Sequence, residues 1–89
     1  MPRVKIYTRT WCGYCTAALG LLDAKQIAYD QIDTSDDPAT RAWLVTETGQ
    51  RTVPQIFIDG RNIGGCDDLY ALDREGQLDA MLAGEKASS

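Results

Sequence analysis

Two cysteines, Cys12 and Cys15, lie between a short apolar strand and a helical segment, and this placement constrains the fold more than any other feature of the chain. The residues from Val4 to Tyr7 are β-prone, whereas the apolar positions after Cys12 recur at steps of three and four. Cys12 is therefore expected at a helix N-terminus, where free N–H groups and the helix dipole favour a thiolate. Cys15 follows within the first turn and points partly inward, so we expect an accessible first thiol and a sheltered second one.

The cysteine count limits what this pair can do. A third cysteine, Cys66, brings the total to three, too few for a disulfide framework. The sequence has no histidine, which excludes a Cys/His nucleophile and removes the commonest partners of zinc-binding cysteines. A closed zinc site would need a carboxylate such as Asp67 or Asp68 as its fourth ligand. We therefore interpret Cys12 and Cys15 as a redox-active pair and predict no metal at the site.

Length and charge restrict the class of protein further. The 89 residues suffice for one domain, with an ordered core over about 3–83 and a flexible tail over 84–89. No secretory signal and no apolar run near the ~20 residues of a membrane span are found, so we expect a cytoplasmic protein without a membrane partner. The net charge is -4, although residues 1–25 carry four basic side chains and one acidic. We expect no nucleic-acid partner; the basic segment either receives a small anion near the cysteines or is solvated surface.

The hydrophobic pattern predicts the order of the elements. Strands are expected over about 3–8 and 27–33, with helices over 12–25 and 38–48 between and after them. A strand over 53–58, a hairpin turn at Asp59-Gly60, a short edge over 61–63 and a helix from Cys66, interrupted at Gly76, complete the chain. This order predicts an α/β fold in which a mixed four-stranded sheet, two parallel strands and then an antiparallel hairpin, has helices on both faces.

The second helix carries clear start and stop signals. Asp37 is placed to cap it, Pro38 suits its first position, and Gly49 is placed to end it in a left-handed conformation. Ala39, Ala42 and Trp43 are predicted to form its buried stripe.

Four segments, taken in order, resemble the glutaredoxin family and are close to its small bacterial dithiol class. The similarity covers about residues 3–83, and the matching segments are Ile6-Tyr7-Thr8-Arg9, Cys12-Gly13-Tyr14-Cys15, Thr52-Val53-Pro54-Gln55-Ile56-Phe57-Ile58 and Gly64-Gly65-Cys66-Asp67-Asp68-Leu69. The resemblance implies the thioredoxin fold and a glutathione-dependent thiol-disulfide oxidoreductase that acts on glutathionylated or disulfide-containing proteins. It also implies that Cys12 is the nucleophile and Cys15 the resolving thiol.

The resemblance further implies a glutathione site. Val53-Pro54 would be a cis peptide bond whose free Val53 N–H and C=O pair with the cysteinyl unit of glutathione; the sequence alone fits a proline at the start of an edge strand equally well. The helix that begins at Cys66 would receive the γ-glutamyl end, or the same residues could be a hairpin exit and an Asp cap. Arg9, together with Gln50 or Arg51, would hold the glycyl carboxylate. The predicted site comprises Arg9, Cys12, Tyr14, Gln50, Arg51, Thr52, Val53, Pro54, Gly65, Cys66 and Asp67.

Three residues keep alternatives open. Gly13 stands where the family commonly has proline, and some members with glycine there bind a [2Fe-2S] cluster between two protomers through the first cysteine and two glutathione molecules. A cluster carrier or sensor that dimerises through Cys12 is therefore a second hypothesis beside a monomeric enzyme. Trp11 replaces the usual threonine or serine, and it either covers the disulfide or offers a protein-contacting surface. Cys66 is interpreted as a small buried hydrophobe.

A thioredoxin-like reductant served by a flavoprotein reductase is a third hypothesis. The Gly64-Gly65-Cys66-Asp67 stretch, which resembles a γ-glutamyl site, argues against it.

Overall fold

Strands and helices follow one another along the chain in the predicted order. The structure, a computed structural model, describes residues 3–83. The predicted tail over 84–89 lies outside the described residues. The elements are β1 (Val4–Thr8), α1 (Gly13–Ala24), β2 (Tyr29–Asp33), α2 (Pro38–Thr48), β3 (Gln55–Ile58), β4 (Arg61–Gly64), α3 (Cys66–Arg74) and α4 (Gln77–Leu82).

The sheet has the strand order β2-β1-β3-β4. β1 and β2 are parallel, and β3 is antiparallel to both β1 and β4. The predicted mixed sheet is thus confirmed. Because β3 runs against β1, it begins where β1 ends, and Tyr7 at the end of β1 is paired with Gln55 at the start of β3. This topology brings the cysteine loop after β1 beside the loop that precedes β3.

One face of the sheet carries the aliphatic core. In β1, Val4 and Ile6 are buried while Lys5 between them is exposed, as the alternation of strand side chains requires. The helices α1, α3 and α4 cover this face, and burial of each large aliphatic side chain contributes about 1.5–3 kcal/mol. The residues packed there are Val4, Ile6, Ala18, Leu22, Ile56, Ile58, Cys66, Leu69 and Leu78.

The other face is aromatic and lies under α2. Tyr7 and Phe57 meet edge-on at 5.5 Å between ring centroids, and Trp43 of α2 stacks on Phe57 at 5.9 Å. The predicted buried stripe of α2 is wrong: Ala39 and Ala42 are exposed and Trp43 is 44% exposed. Leu44 is the buried residue. Trp43 contacts the sheet through Tyr7 and Phe57 but leaves part of its ring in solvent.

The predicted hairpin turn and the predicted start and end of α2 are present in the structure. Asp59 and Gly60 both have positive φ, 52° and 82°, which is the hairpin geometry expected of an Asp-Gly pair. The Asp37 side chain accepts a hydrogen bond from Thr40 N–H at 3.1 Å, and Gly49 ends α2 at φ 73°. β3 begins two residues later than predicted, since Pro54 has no N–H to donate to a neighbouring strand. No helix among residues 3–83 combines the length and apolarity needed to span a membrane.

Candidate active site

Cys12 is the N-cap of α1, and its backbone is extended at φ -115° and ψ 106°. Its sulfur accepts a hydrogen bond from Cys15 N–H at 3.1 Å and lies 3.7 Å from the carbonyl oxygen of Val53, to which the thiol donates. The side chain is half-buried. The Cys12 sulfur is therefore half-accessible and already accepts an N–H at the helix start.

Cys15 lies in a different environment although it is only three residues away. It is 3% exposed. Burial, followed by a hydrogen bond to the Cys12 sulfur, raises the pKa of Cys15 to about 12, while the Arg9 backbone acts in the opposite direction. All three cysteines are free thiols. The expected pair, an accessible first thiol and a sheltered second one, is present.

The loop before β3 faces Cys12. The Val53-Pro54 peptide bond is cis, as the resemblance implies. The expectation that the Val53 carbonyl is unpaired is wrong, because this oxygen accepts the Cys12 thiol proton. No residue among 3–83 accepts a hydrogen bond from the Val53 N–H. A thiolate at Cys12 would have no proton to donate, and the carbonyl would then be free as well.

A groove of about 340 Å³ follows this loop, and we call it the proline groove. It brings together eight of the eleven predicted site residues, which come from α1, the loop before β3 and the start of α3. Asp68, which was not predicted, completes the lining. The lining residues are Tyr14, Gln50, Thr52, Val53, Pro54, Gly65, Cys66, Asp67 and Asp68.

The two predicted arginines lie in an adjacent cavity of about 270 Å³, the arginine cavity. Arg9 and Arg51 are both exposed, and the cavity shares Gln50, Thr52 and Val53 with the proline groove. Arg41 of α2 also lines it and was missed, because only the packing of α2 brings this side chain towards the loop. Its guanidinium donates to the carbonyl oxygen of Ser35 at 2.9 Å. The cavity is thus strongly cationic and suits a carboxylate.

The start of α3 is defined by backbone groups. Asp68 Oδ2 accepts a hydrogen bond from Gly65 N–H at 3.0 Å and forms the side-chain part of a capping box. Gly64 has φ 107°, and a Cβ at this position would lie 2.1 Å from Asp68 Oδ2. A Cβ at Gly65 would lie 3.2 Å from the carbonyl oxygen of Pro54. A side chain at either glycine would therefore meet Asp68 or Pro54. An Asp cap, one of the two alternatives that the sequence left open, is present and is formed by Asp68, as its spacing from Gly65 indicates.

Cys66 combines a packing position with access to the groove. It is 8% exposed and belongs to the aliphatic core. Burial first, and then the nearby charges of Asp67 and Cys12, raise its pKa. This environment agrees with the interpretation of Cys66 as a small buried hydrophobe.

A second opening, the cysteine cleft, has a volume of about 470 Å³ and shares no lining residue with the proline groove. Both Cys12 and Cys15 line it, together with Trp11. Trp11 is 101% exposed and has φ 59°. The indole therefore does not cover the thiols, which decides against one of the two expectations for this residue.

Comparisons with known proteins agree with this geometry. The glutaredoxin family model matches residues 4–63. The chain is 48% identical to a glutaredoxin of Pseudomonas aeruginosa over 93% of this chain and 99% of that protein, and 46% identical to glutaredoxin 3 of Escherichia coli K12 over 92% and 99%.

Solved structures lead to the same family. The crystal structure of a buckwheat glutaredoxin-glutathione complex superposes with a TM-score of 0.87 at 40% identity, covering 92% of this chain and 77% of that one. The solution structure of a Brucella melitensis glutaredoxin gives 0.82 at 49% identity, covering 92% and 89%. The fold is thioredoxin-like, and the homologues support a thiol-disulfide oxidoreductase. The chain belongs to the glutaredoxin family.

Proposed function

We propose that this protein is a glutathione-dependent thiol-disulfide oxidoreductase that reduces glutathione mixed disulfides and protein disulfides. One observation carries the proposal: the half-buried sulfur of Cys12 lies 3.7 Å from the carbonyl oxygen of Val53, at the edge of the groove that contains the cis Val53-Pro54 bond. A sulfur bound to Cys12 would lie at the same edge, with the backbone of Val53 beside it. We expect a cytoplasmic monomer.

The proline groove offers a partner for the middle and one end of glutathione. The N–H and C=O of Val53 would pair with the cysteinyl unit as a short antiparallel strand does. The N-terminus of α3 would receive the γ-glutamyl carboxylate, and exposed Asp67 would pair with the ammonium group beside it. Each contact uses a group that the fold already places at the groove wall.

The arginine cavity offers a partner for the other end. Arg9 and Arg51 would hold the glycyl carboxylate, with Arg41 adding positive charge nearby. Glutathione bound in this way would span both openings, which share Gln50, Thr52 and Val53. A buckwheat glutaredoxin that is 40% identical to this chain has been solved in complex with glutathione, which supports glutathione as the ligand.

The chemistry follows from the accessibility of Cys12. Its thiolate attacks the glutathione sulfur of a protein-glutathione mixed disulfide, the old S–S bond breaks, and the protein leaves as a thiolate that takes up a proton. A thiolate of a second glutathione then attacks the sulfur of glutathione on Cys12. Oxidised glutathione leaves, the Cys12 thiolate returns, and glutathione has supplied both electrons.

Protein disulfides would use Cys15 as well. Attack by Cys12 leaves a protein bonded to Cys12 and releases one protein thiolate, and Cys15 then attacks the Cys12 sulfur and releases the other. Cys15 must lose its proton first. Its hydrogen bond to the Cys12 sulfur and the charge of Cys12 are two of the causes that raise its pKa, and the charge disappears once Cys12 is in a disulfide. Formation of the mixed disulfide therefore makes Cys15 easier to ionise.

The test compares the two serine variants. Cys12→Ser removes the nucleophile and should abolish turnover, whereas Cys15→Ser should retain reduction of glutathione mixed disulfides and lose reduction of protein disulfides. Glutathione-coupled assays with both kinds of substrate measure this. Equal loss in the two variants on a glutathione mixed disulfide would contradict the proposal.

A [2Fe-2S] carrier or sensor is the second candidate, and Gly13 is the observation that favours it. Gly13 is exposed and has no heavy atom within 4 Å of where its Cβ would lie, so the space beside Cys12 is open. Within residues 3–83 no group of three or more His, Cys, Asp and Glu side chains could hold a metal ion, so ligands beyond one chain would be needed. Cys12 of two protomers with two glutathione thiols would supply them; the bound cluster would serve electron or cluster transfer.

Reconstitution separates the two candidates. Anaerobic incubation with iron, sulfide and glutathione should give a coloured dimer that requires Cys12 and not Cys15 if the cluster is bound. Gly13→Pro should suppress the dimer and keep oxidoreductase activity, since proline suits the first helical position and the extended backbone of Cys12 accepts a following proline. A colourless monomer under these conditions would count against the cluster.

A further inference from the structure

We propose that Trp11 and the cysteine cleft form the docking surface for polypeptide substrates, in an opening that shares no lining residue with the proline groove. The partner is a polypeptide segment that carries a glutathionylated or disulfide-bonded cysteine with an apolar side chain next to it. This inference rests on the proposed function, because it concerns the second half of the disulfide that Cys12 would attack.

The exposure of Trp11 is the first observation. A tryptophan is largely buried in most proteins, yet this indole is 101% exposed and so adds nothing to the packing of the described fold. Its φ of 59° lies in the left-handed region, which is uncommon for a residue with a bulky side chain. Unfavourable backbone conformations of this kind concentrate at functional sites. The side chain adjoins Cys12 in the sequence and projects into solvent.

The two-sided access to the thiols is the second observation. Cys12 and Cys15 both line the cysteine cleft, whereas neither lines the proline groove. A mixed disulfide has a glutathione half and a polypeptide half. If the glutathione half lies along Val53 and Pro54, the polypeptide half must approach from the side that remains open. That side is the cysteine cleft, with Trp11 at its margin.

The chemistry of the lining indicates what this surface accepts. Arg9 is the only charged side chain among the residues that line the cleft, and the others are polar, apolar or sulfur-bearing. Trp11 is the aromatic residue of this lining, and its indole is fully exposed. Aromatic side chains of this size bury about 150–250 Å² in contacts and dominate the energetics of interfaces. An apolar side chain beside the substrate cysteine would desolvate the indole, while a lysine or arginine there would meet Arg9.

The bond changes are those of the glutathione step. The Cys12 thiolate attacks the glutathione sulfur of the peptide mixed disulfide, the peptide thiolate leaves into the cysteine cleft and takes up a proton, and a second glutathione reduces Cys12. Contact with Trp11 would lower the free energy of the bound peptide before and during attack. It would contribute nothing when the leaving group is too small to reach the indole.

The test uses two substrates and three variants. One substrate is a synthetic peptide glutathionylated at its single cysteine between two leucines, and the other is the mixed disulfide of glutathione and mercaptoethanol. Trp11→Gly and Trp11→Ala should lower kcat/KM for the peptide roughly tenfold, the size expected when an interface aromatic is truncated, and leave the small substrate unchanged. Trp11→Phe should retain most of the peptide rate. Glycine accepts a φ of 59° and alanine does so poorly, so agreement between the two variants shows that the side chain carries the effect.

A binding readout is independent of turnover. In a Cys15→Ser, Trp43→Phe background, Trp11 is the only tryptophan, and disulfide trapping of the leucine-flanked peptide on Cys12 should shift its emission to the blue. Trapping of glutathione alone on Cys12 should leave the emission of Trp11 unchanged. The single Trp43→Phe variant, remote from the site on the aromatic face, is the matched control for loss of a tryptophan.

The outcomes are decisive in each direction. Equal loss with both substrates, no loss with either, or a blue shift that depends on protein concentration without peptide, as a second copy of the chain would give, overturns the inference. Absence of glutathione-dependent turnover in the unmodified protein would instead refute the proposed function, and the two failures are therefore distinguishable.

Discussion

The two sides of the candidate site are built from different parts of the chain. On the sulfur side, residues 9–15, the chemistry belongs to side chains, since Cys12 and Cys15 differ in exposure and hydrogen bonding. On the backbone side, the loop before β3 and residues 64–68, the groups that face the groove are a peptide N–H, a carbonyl and a helix start. Asp68 holds the start of α3 in place there, and the exposed side chains of Arg51 and Asp67 are the ones we assign to the charged ends of glutathione.

This difference determines how each side responds to change. Sulfur chemistry depends on proton equilibria, so the sulfur side should be sensitive to pH and to the state of the neighbouring sulfur. The backbone side depends on φ values, on the close approach of atoms and on helix caps. Adding a single carbon atom there, as a Gly→Ala substitution does, should therefore change the free energy of unfolding.

Alkylation should distinguish the two thiols by the largest factor. With its pKa raised to about 12 by burial and by the Cys12 sulfur, Cys15 would be a thiolate at a fraction of about 10⁻⁵ at pH 7. Iodoacetamide followed by mass spectrometry should therefore modify Cys12 first, and the rate at Cys15 should rise about tenfold per pH unit through the alkaline range. Equal rates at neutral pH in the folded protein would contradict the environment assigned to Cys15.

The same shift predicts how stability depends on alkaline pH. The folded-state pKa of Cys15 lies above its ordinary value of 9.0, so the unfolded chain loses this proton first as the pH rises. The free energy of unfolding should be unaffected by this group below pH 9 and decrease between about pH 9 and 12. Urea titrations of the unmodified protein and of Cys15→Ser should diverge across that window and only there.

Gly64→Ala should have the largest effect on the backbone side. Its Cβ would lie 2.1 Å from Asp68 Oδ2 at a φ of 107°, so both the conformation and the space oppose it. We expect a loss of about 2–4 kcal/mol in the free energy of unfolding, measured by urea denaturation. Gly60→Ala is the matched control, because Gly60 has a φ of 82° with nothing within 4 Å, and should cost about 1 kcal/mol. Similar losses in the two variants would show that the contact with Asp68 is unimportant.

The sulfur side could be predicted from the residues alone. The spacing of Cys12 and Cys15 after a β-prone run, with apolar residues at helical steps, is sufficient to place one thiol at a helix start and the other within its first turn. The order of strands and helices could also be predicted from the sequence, because hydrophobic periodicity is a local property of the chain. The buried face of α2 could not be predicted in this way, because tertiary packing encloses Leu44 and leaves Trp43 44% exposed although it stacks on Phe57.

The backbone side could be predicted only through the resemblance. By itself the sequence favours a trans bond before Pro54, and nothing local signals that the bond is cis. The sequence offered an Asp cap here as the alternative to a γ-glutamyl site, but within a stretch that ends at Asp67. The cap is Asp68, whose spacing from Gly65 is that of a capping box. Arg41 was missed because its place beside Arg9 depends on how α2 packs. Long-range packing, not local preference, determines these contacts.

Substitution of the two acidic residues at the start of α3 should distinguish an effect on stability from an effect on glutathione binding. Asp68→Ala removes the acceptor of the Gly65 N–H and should lower the free energy of unfolding by about 1 kcal/mol. Asp67→Ala is its matched control: Asp67 is exposed and makes no side-chain hydrogen bond within residues 3–83, so it should change stability little and raise the KM for glutathione. Urea denaturation and glutathione titration measure the two quantities. A loss of stability in Asp67→Ala but not in Asp68→Ala would mean that Asp67, and not Asp68, stabilises the start of α3.

Gly13→Ala, on the sulfur side, should have the smallest effect on stability and activity. Gly13 is the first residue of α1, has no positive φ, and leaves nothing within 4 Å of an added Cβ. Alanine restricts the unfolded chain more than glycine does, so the variant should be more stable by about 0.4–1 kcal/mol with unchanged deglutathionylation. Thermal denaturation and the glutathione-coupled assay measure this. Loss of activity without loss of stability would mean that the open space beside Cys12 is used in the reaction itself, which would assign to Gly13 a role that none of its contacts indicates.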